Sequence, residues 1–236
     1  MSSLAVLPLW RADRLAVQAG GSDASTRPTG FAALDAELPG GGWPAAGLTE
    51  LLQHAAGSGE LRLLVPMLAA GSAPLLWVAP PLSPYAPALL ALGLPPERLV
   101  IAEPERAADA AWAAEQALRA GVLAAVLWWQ GREPVTATTL RRLHWAAVEG
   151  RTPLFAFRQM SVRSQSSPAP LRLALNLSAP GRLAVDVFKR RGPPLAAPLL
   201  LDLPAPVQRR ALRAAAAPTP KDDHALVRPA PARAAA

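Results

Sequence analysis

The chain has 236 residues, 51% of them hydrophobic, and a formal charge of +7, which allows one well-buried domain with tails. It contains no cysteine, so disulfide scaffolds and thiolate metal sites are excluded. The three histidines, His54, His144 and His224, lack metal-ligand spacing.

No apolar run approaches the roughly 18 residues of a membrane span, and no charged segment followed by an apolar core opens the chain. A soluble, cytoplasmic protein without membrane contact is expected. Lys189 and Lys221 are the only lysines, so nearly all positive charge is arginine. GC-rich codons produce such an Ala, Pro and Arg bias, and a basic balance favours anionic partners, nucleic acid first.

In chain order, Trp10–Leu15 is a short helical signal and Gly20–Pro28 a Gly/Ser/Pro linker, making residues 1–28 a lead-in. Phe31–Asp35 predicts a short helix closed by Gly40-Gly41-Gly42. Leu48–Leu52 reads as a strand, and Glu60–Ala70 as a helix with Leu61, Leu64, Val65 and Leu68 at helical spacing. Leu75–Val78 has the apolar signature of a buried strand. Ser83–Leu92 reads as helix, Arg98–Ala102 as strand, and Glu105–Ala120 as a helix ended by Gly121.

Val122–Trp129 is a strand apolar on both faces, which places Trp128 or Trp129 in the core rather than on a base-stacking surface. Thr138–Glu149 is helical, and Pro153–Phe157 is a further strand. Strands alternating with helices specify an α/β domain with a mostly parallel sheet covered on both sides. Beyond residue 158 come a Ser/Arg/Pro loop at Ser161–Pro170 and an antiparallel pair, Leu171–Leu177 with Arg182–Phe188. Leu199–Leu203 completes a core domain of residues 29–203. Residues 204–236 form an Ala/Pro/Arg-rich, disordered tail with a short helix near Gln208–Ala215; it serves as a recruitment peptide or as a compositional overhang.

The segment between the first long strand and its helix carries the chemical signal. A functional phosphate loop reads G-x-x-x-x-G-K-[S/T], with backbone N–H groups around the phosphates, a lysine on the outer phosphates and a hydroxyl on Mg²⁺. Here Gly59 keeps the second glycine, but His54 replaces the first, Glu60 the lysine and Leu61 the hydroxyl. A like charge ~4 Å from a phosphate costs on the order of 4 kcal/mol at a surface-like dielectric. The change from Lys to Glu therefore turns attraction into repulsion, although Gly57 and Gly59 still have N–H groups to offer a weakly docked nucleotide.

Thr29-Gly30…Leu34-Asp35, Gly40-Gly41-Gly42-Trp43-Pro44, Gly47 and Glu50-Leu51-Leu52, followed by this loop, resemble the opening of the RecA-like recombinase core. Leu94–Pro104, Arg158-Gln159 and Val187–Arg191 resemble its later segments. Within that superfamily the stretch Thr29–Pro44, with Trp10-Arg11 and Phe188–Gly192, resembles the ImuA family, also described as SulA-like. The resemblance implies a RecA-like core with C-terminal antiparallel strands and a non-catalytic accessory role in SOS-induced translesion DNA synthesis. It implies an ImuB-type polymerase-like partner, with RecA and an error-prone replicative-type polymerase as further partners, and nucleoid association. A SulA-type division inhibitor, an ATP- and single-strand-DNA-dependent enzyme and a plain single-strand DNA binder are the alternatives.

Carried over residue by residue, the resemblance speaks against the enzyme. Leu75–Val78 runs into Ala79-Pro80-Pro81 where recombinases place acidic residues, and Val122–Trp129 runs into Gln130 where Mg²⁺ needs a carboxylate. No cofactor, no metal and no catalytic residue are expected. Glu103 and Glu105 suit a helix start better than acid–base work. Candidate contacts to nucleic acid or a partner are Trp43, an exposed anchor after three glycines; Arg158 and Arg163, which with Arg172 border the loop where recombinases bind single strands; Gln159, alternatively a structural relic; and Lys189, Arg190 and Arg191, alternatively a solvated strand end.

Overall fold

The computed structural model describes residues 26–131 and 133–204. Its strands are β1 (Thr26–Arg27), β2 (Trp43–Pro44), β3 (Gly47–Gln53), β4 (Leu75–Val78), β5 (Leu99–Ala102), β6 (Ala125–Trp129), β7 (Pro153–Gln159), β8 (Leu171–Ala179), β9 (Arg182–Lys189) and β10 (Leu199–Asp202). Between them lie the helices α1 (Ala32–Glu37), α2 (Glu60–Ala69), α3 (Ala86–Ala91), α4 (Ala107–Ala120) and α5 (Ala137–Glu149).

Eight strands form one sheet in the order β10-β9-β8-β3-β7-β6-β4-β5. From β8 through β5 all neighbours run parallel. β8, β9 and β10 pair antiparallel. This is the expected α/β class, with the direction change at the predicted C-terminal strands.

Every residue of β3, β4 and β6 is buried, because a parallel sheet of this kind is roofed on both faces and needs apolar side chains on each. One face carries Leu51, Trp77, Trp129, Phe155 and Phe157 against Leu63, Leu64 and Leu68 of α2. The other carries Leu48, Val126, Trp128 and Ala156 against Leu118 of α4 and Leu140 and Leu143 of α5. Trp128 and Trp129 are both core residues. Trp129 stacks on Phe157, with centroids 4.6 Å apart and rings at 20°, and it also contacts Trp77.

The expected linker through Pro28 is corrected in its last part: Thr26–Arg27 pairs antiparallel with Trp43–Pro44. The three glycines do more than stop a helix. Gly40 and Gly41 take φ of +78° and +77°, conformations that cost a side-chain-bearing residue. A Cβ on Gly42 would lie 2.2 Å from the Arg27 carbonyl oxygen. The turn thus folds the chain back onto Thr26, whose hydroxyl donates to the Gly40 carbonyl at 2.8 Å.

Helix bounds shift by a few residues, most at α3, which is shorter than Ser83–Leu92. The Val122 strand begins only at Ala125, since Ala125 is the residue that pairs with the first residue of β4, Leu75. Trp10–Leu15, the tail from Ala205 and its helix near Gln208–Ala215 lie outside the described residues.

Candidate functional site

The loop between β3 and α2 lies at the carboxyl edge of the parallel strands, where open α/β sheets bind ligands. His54 is exposed there, and Leu61 packs inward against the core. Gly59, in a left-handed conformation, starts α2. Glu60 is 3% exposed, and its Oε1 accepts the Gly57 N–H at 2.8 Å.

Backbone N–H groups before a helix attract anions, and here a loop N–H, that of Gly57, is taken by the first carboxylate of the helix. The expectation that Gly57 retains a free N–H is therefore corrected. Glu60 opposes phosphate by taking the Gly57 N–H as well as by charge.

The neighbouring cleft, about 170 Å³, runs along Gln53, Ala79, Trp129, Gln130, Arg158 and Gln159, and no acidic residue lines it. Gln130 is engaged: its Oε1 accepts from Arg158 Nε at 2.6 Å, and its Nε2 donates to the Glu133 carbonyl at 3.0 Å. A magnesium–nucleotide, the group the resemblance would bring, does not fit this chemistry. The Gly57 N–H is already taken by Glu60, and no carboxylate lines this cleft to help hold the metal. No group of three or more potential metal ligands occurs among the described residues, and no helix among them is long and apolar enough to cross a membrane.

Beside the loop, β3 carries a residue that sequence reasoning quoted as part of a motif but did not single out. Glu50 is fully buried. Its Oε1 accepts from Arg158 Nη1 at 2.7 Å and from the Ser167 hydroxyl at 2.8 Å, and its Oε2 from Arg172 Nε at 2.6 Å. Arg172 also donates to the carbonyls of Val162 and Gln165, at 3.0 and 2.9 Å.

These contacts explain why the Ser161–Pro170 segment holds one course over β8: a guanidinium binds its backbone from beneath. They also correct two assignments. Arg158 and Arg172 have side chains only 2% and 5% exposed, so neither is a surface contact for nucleic acid. The signal was present as the one charged residue of β3, which burial obliges to find cations.

The remaining candidates separate. Arg163 is exposed, pairs with Asp186 at 2.6 Å and lies over the Phe188 ring. Gln159, at the end of β7, is exposed. Lys189 donates to the Ser167 carbonyl at 2.6 Å. Burial holds its ammonium below the ordinary lysine value, the Arg172 charge adds to that, and Glu50 opposes it.

Arg190 donates to the Glu37 carbonyl and carboxylate and, at 2.7 Å, to the Pro193 carbonyl. Arg191 is exposed and makes no hydrogen bond or ion pair to a described residue. Trp43 is corrected outright: it is fully buried, edge-on to Phe155 with centroids 5.5 Å apart. It follows the glycine turn into β2, which turns it inward.

One groove, of about 200 Å³, is lined by Thr26, Pro39, Gly42, Pro44, Pro170, Leu171, Arg190 and Arg191. The stretch Thr29–Pro44 and the segment Phe188–Gly192, distant in sequence, meet there.

No family model matches the chain, and no curated protein matches it. Among solved structures it is similar to SulA from Pseudomonas aeruginosa, with 27% sequence identity and a TM-score of 0.40. That match covers 47% of this chain and 97% of the other.

Proposed function

We propose that this chain is a non-catalytic adaptor in damage-induced, error-prone DNA synthesis, of the ImuA type, which docks an ImuB-type polymerase-like partner. RecA and an error-prone replicative-type polymerase are the further partners in this reading. The observation that carries the non-catalytic half is the Glu60 carboxylate seated on the Gly57 N–H. A side chain that takes an N–H of the phosphate loop competes with nucleotide at every turnover, and phosphoryl transfer rests on positioned metal and positive charge. The cleft beside it offers neither a metal-binding carboxylate nor an unengaged cation. The translesion half rests on the resemblance of Thr29–Pro44 and Phe188–Gly192.

The test is co-expression with the ImuB-type protein and purification of the complex, alongside an ATPase assay with single-stranded DNA and Mg²⁺. A stable complex without ATP turnover is the expected outcome. Failure of the two chains to associate removes the translesion assignment. ATP turnover that responds to single-stranded DNA replaces the adaptor with an enzyme.

A further inference from the structure

We infer that the groove between the glycine turn and the end of β9 is a docking site for an extended acidic peptide segment of a partner protein, with a partner carboxylate on Arg191. The inference deepens the adaptor reading by naming the chemistry of the docked segment, and rests on it only for the purpose of docking.

The groove's walls are fixed before anything binds. Gly40 and Gly41 hold left-handed turns, the Thr26 hydroxyl ties the turn at Gly40, and Arg27 Nη1 donates to the Ala124 carbonyl at 2.8 Å. On the opposite wall Arg190 is clamped to Glu37 and Pro193. A groove already in its bound shape avoids the ordering cost of association.

Charge and shape then select the occupant. No acidic residue lines the groove. Glu37 compensates Arg190, which leaves Arg191, unpaired among the described residues, as the uncompensated charge of a groove lined besides by Thr26, Gly42, Leu171 and three prolines. One such charge beside apolar walls matches an apolar side chain followed by Asp or Glu. The three prolines, Pro39, Pro44 and Pro170, bring no N–H donors, so the ligand is gripped by packing and by Arg191. A volume of about 200 Å³ falls below the roughly 300–1,000 Å³ of small-molecule pockets and suits side chains of a peptide.

Two other occupants fit less well. Single-stranded nucleic acid calls for a track of cations with exposed aromatic platforms, and this groove has one unengaged cation and no aromatic residue. The chain's own residues 205–236 carry six Lys or Arg against two Asp, the wrong sign for Arg191.

The experiment selects from a displayed library of random linear peptides on the full chain, then measures fluorescence polarisation of the labelled winners on wild type, Arg191→Glu and Arg191→Lys. Arg191 is exposed and makes no hydrogen bond or ion pair to a described residue, so both variants are expected to fold. The expected winners join apolar residues to Asp or Glu. They weaken as salt rises, lose about tenfold or more in affinity on Arg191→Glu, in line with close charge pairs at interfaces, and are largely kept by Arg191→Lys.

A selection that returns no peptides, or peptides indifferent to Arg191→Glu, overturns the inference. So does tighter binding of a labelled oligothymidylate at the same residues. Acidic peptides that bind through Arg191 while the ImuB-type complex fails to form would remove the translesion reading and keep the groove. A complex that forms unchanged with Arg191→Glu would do the reverse.

Discussion

Replacing Glu50 by Gln removes one charge from the centre of the buried network while keeping its shape. Arg158 and Arg172 then remain in the interior, 3% and 4% exposed, without a counter-charge. Gln keeps one oxygen that accepts from one guanidinium, whereas its amide NH2 cannot accept from the other, so of the two charge-assisted hydrogen bonds of 2.7 and 2.6 Å one is lost and the other weakened. With two buried guanidinium charges left uncompensated, the expected destabilisation is about 3–5 kcal/mol. Breaking a buried pair by removing one partner costs about 3–5 kcal/mol in general, the same range.

The assay is urea unfolding followed by tryptophan fluorescence, with Arg163→Ala as the control from the same segment. The Arg163 side chain is 43% exposed in its pair with Asp186, and such exposed pairs contribute about 0–1 kcal/mol. A second comparison orders the network. Glu50→Leu with Arg158→Met removes a charge and its partner together and recovers part of the loss. Adding Arg172→Met does not recover more, because the Val162 and Gln165 carbonyls lose their donor. A Glu50→Gln protein within about 1 kcal/mol of wild type, at unchanged denaturant slope, would refute the network as the anchor of this edge of the sheet.

Glu60→Lys restores the lysine of a phosphate loop, yet ATP hydrolysis is expected to stay at background, since the cleft still lacks a carboxylate for Mg²⁺; turnover by this variant would show that the loop alone had been lost. Trp43→Ala should cost about 3–5 kcal/mol in chemical denaturation, as for a large buried aromatic, and a near-neutral result would return Trp43 to the surface. His144 gives a pH signature. Its Nδ1 accepts the Leu48 N–H at 3.2 Å, and burial first, then the Lys189 charge, lower its pKa from 6.5. The folded state therefore binds that proton less readily than the unfolded chain, so the stabilisation is complete above pH 6.5 and is lost as pH falls through the lowered folded value. His144→Asn should flatten stability against pH between neutral and mildly acidic conditions, and an unchanged slope would remove His144 as its source.

Most of the sheet was legible because strands covered on both faces are predominantly apolar, and Leu75–Val78 is found with the bounds its composition predicts. The same rule misled at Val122, where the apolar run continues into backbone outside the strand and the side chain is 67% exposed. Composition does not show where a neighbour's pairing begins. Glu50 was visible as a residue but not as a site, since its partners Arg158 and Arg172 lie 108 and 122 residues away in sequence. Trp43 was misread for a related reason: glycines before it suggested a solvent loop, whereas the close approach they permit to Arg27 turns the indole onto Phe155.

The cluster at the end of β9 and its neighbours carry a weaker argument for nucleic acid once each of those cations is followed to its partner. A charge contributes to long-range attraction only in so far as its own neighbours leave it uncompensated. Glu50 holds Arg158, Asp186 holds Arg163, and Glu37 holds Arg190. Lys189 spends a donor on a backbone carbonyl within a part-buried cluster. What looked like a basic strand end is thus three differently employed side chains, and of these three only Arg191 is exposed without a hydrogen-bond or ion-pair partner among the described residues. Binding to phosphates scales with the number of cations that displace counterions, whereas one guanidinium in a shaped apolar groove discriminates by fit and by a single carboxylate. The same reasoning applies to the loop above. Glu60 and Arg191 thus play opposite parts, one taking up an anion-binding N–H from within and the other standing exposed at the rim of a groove.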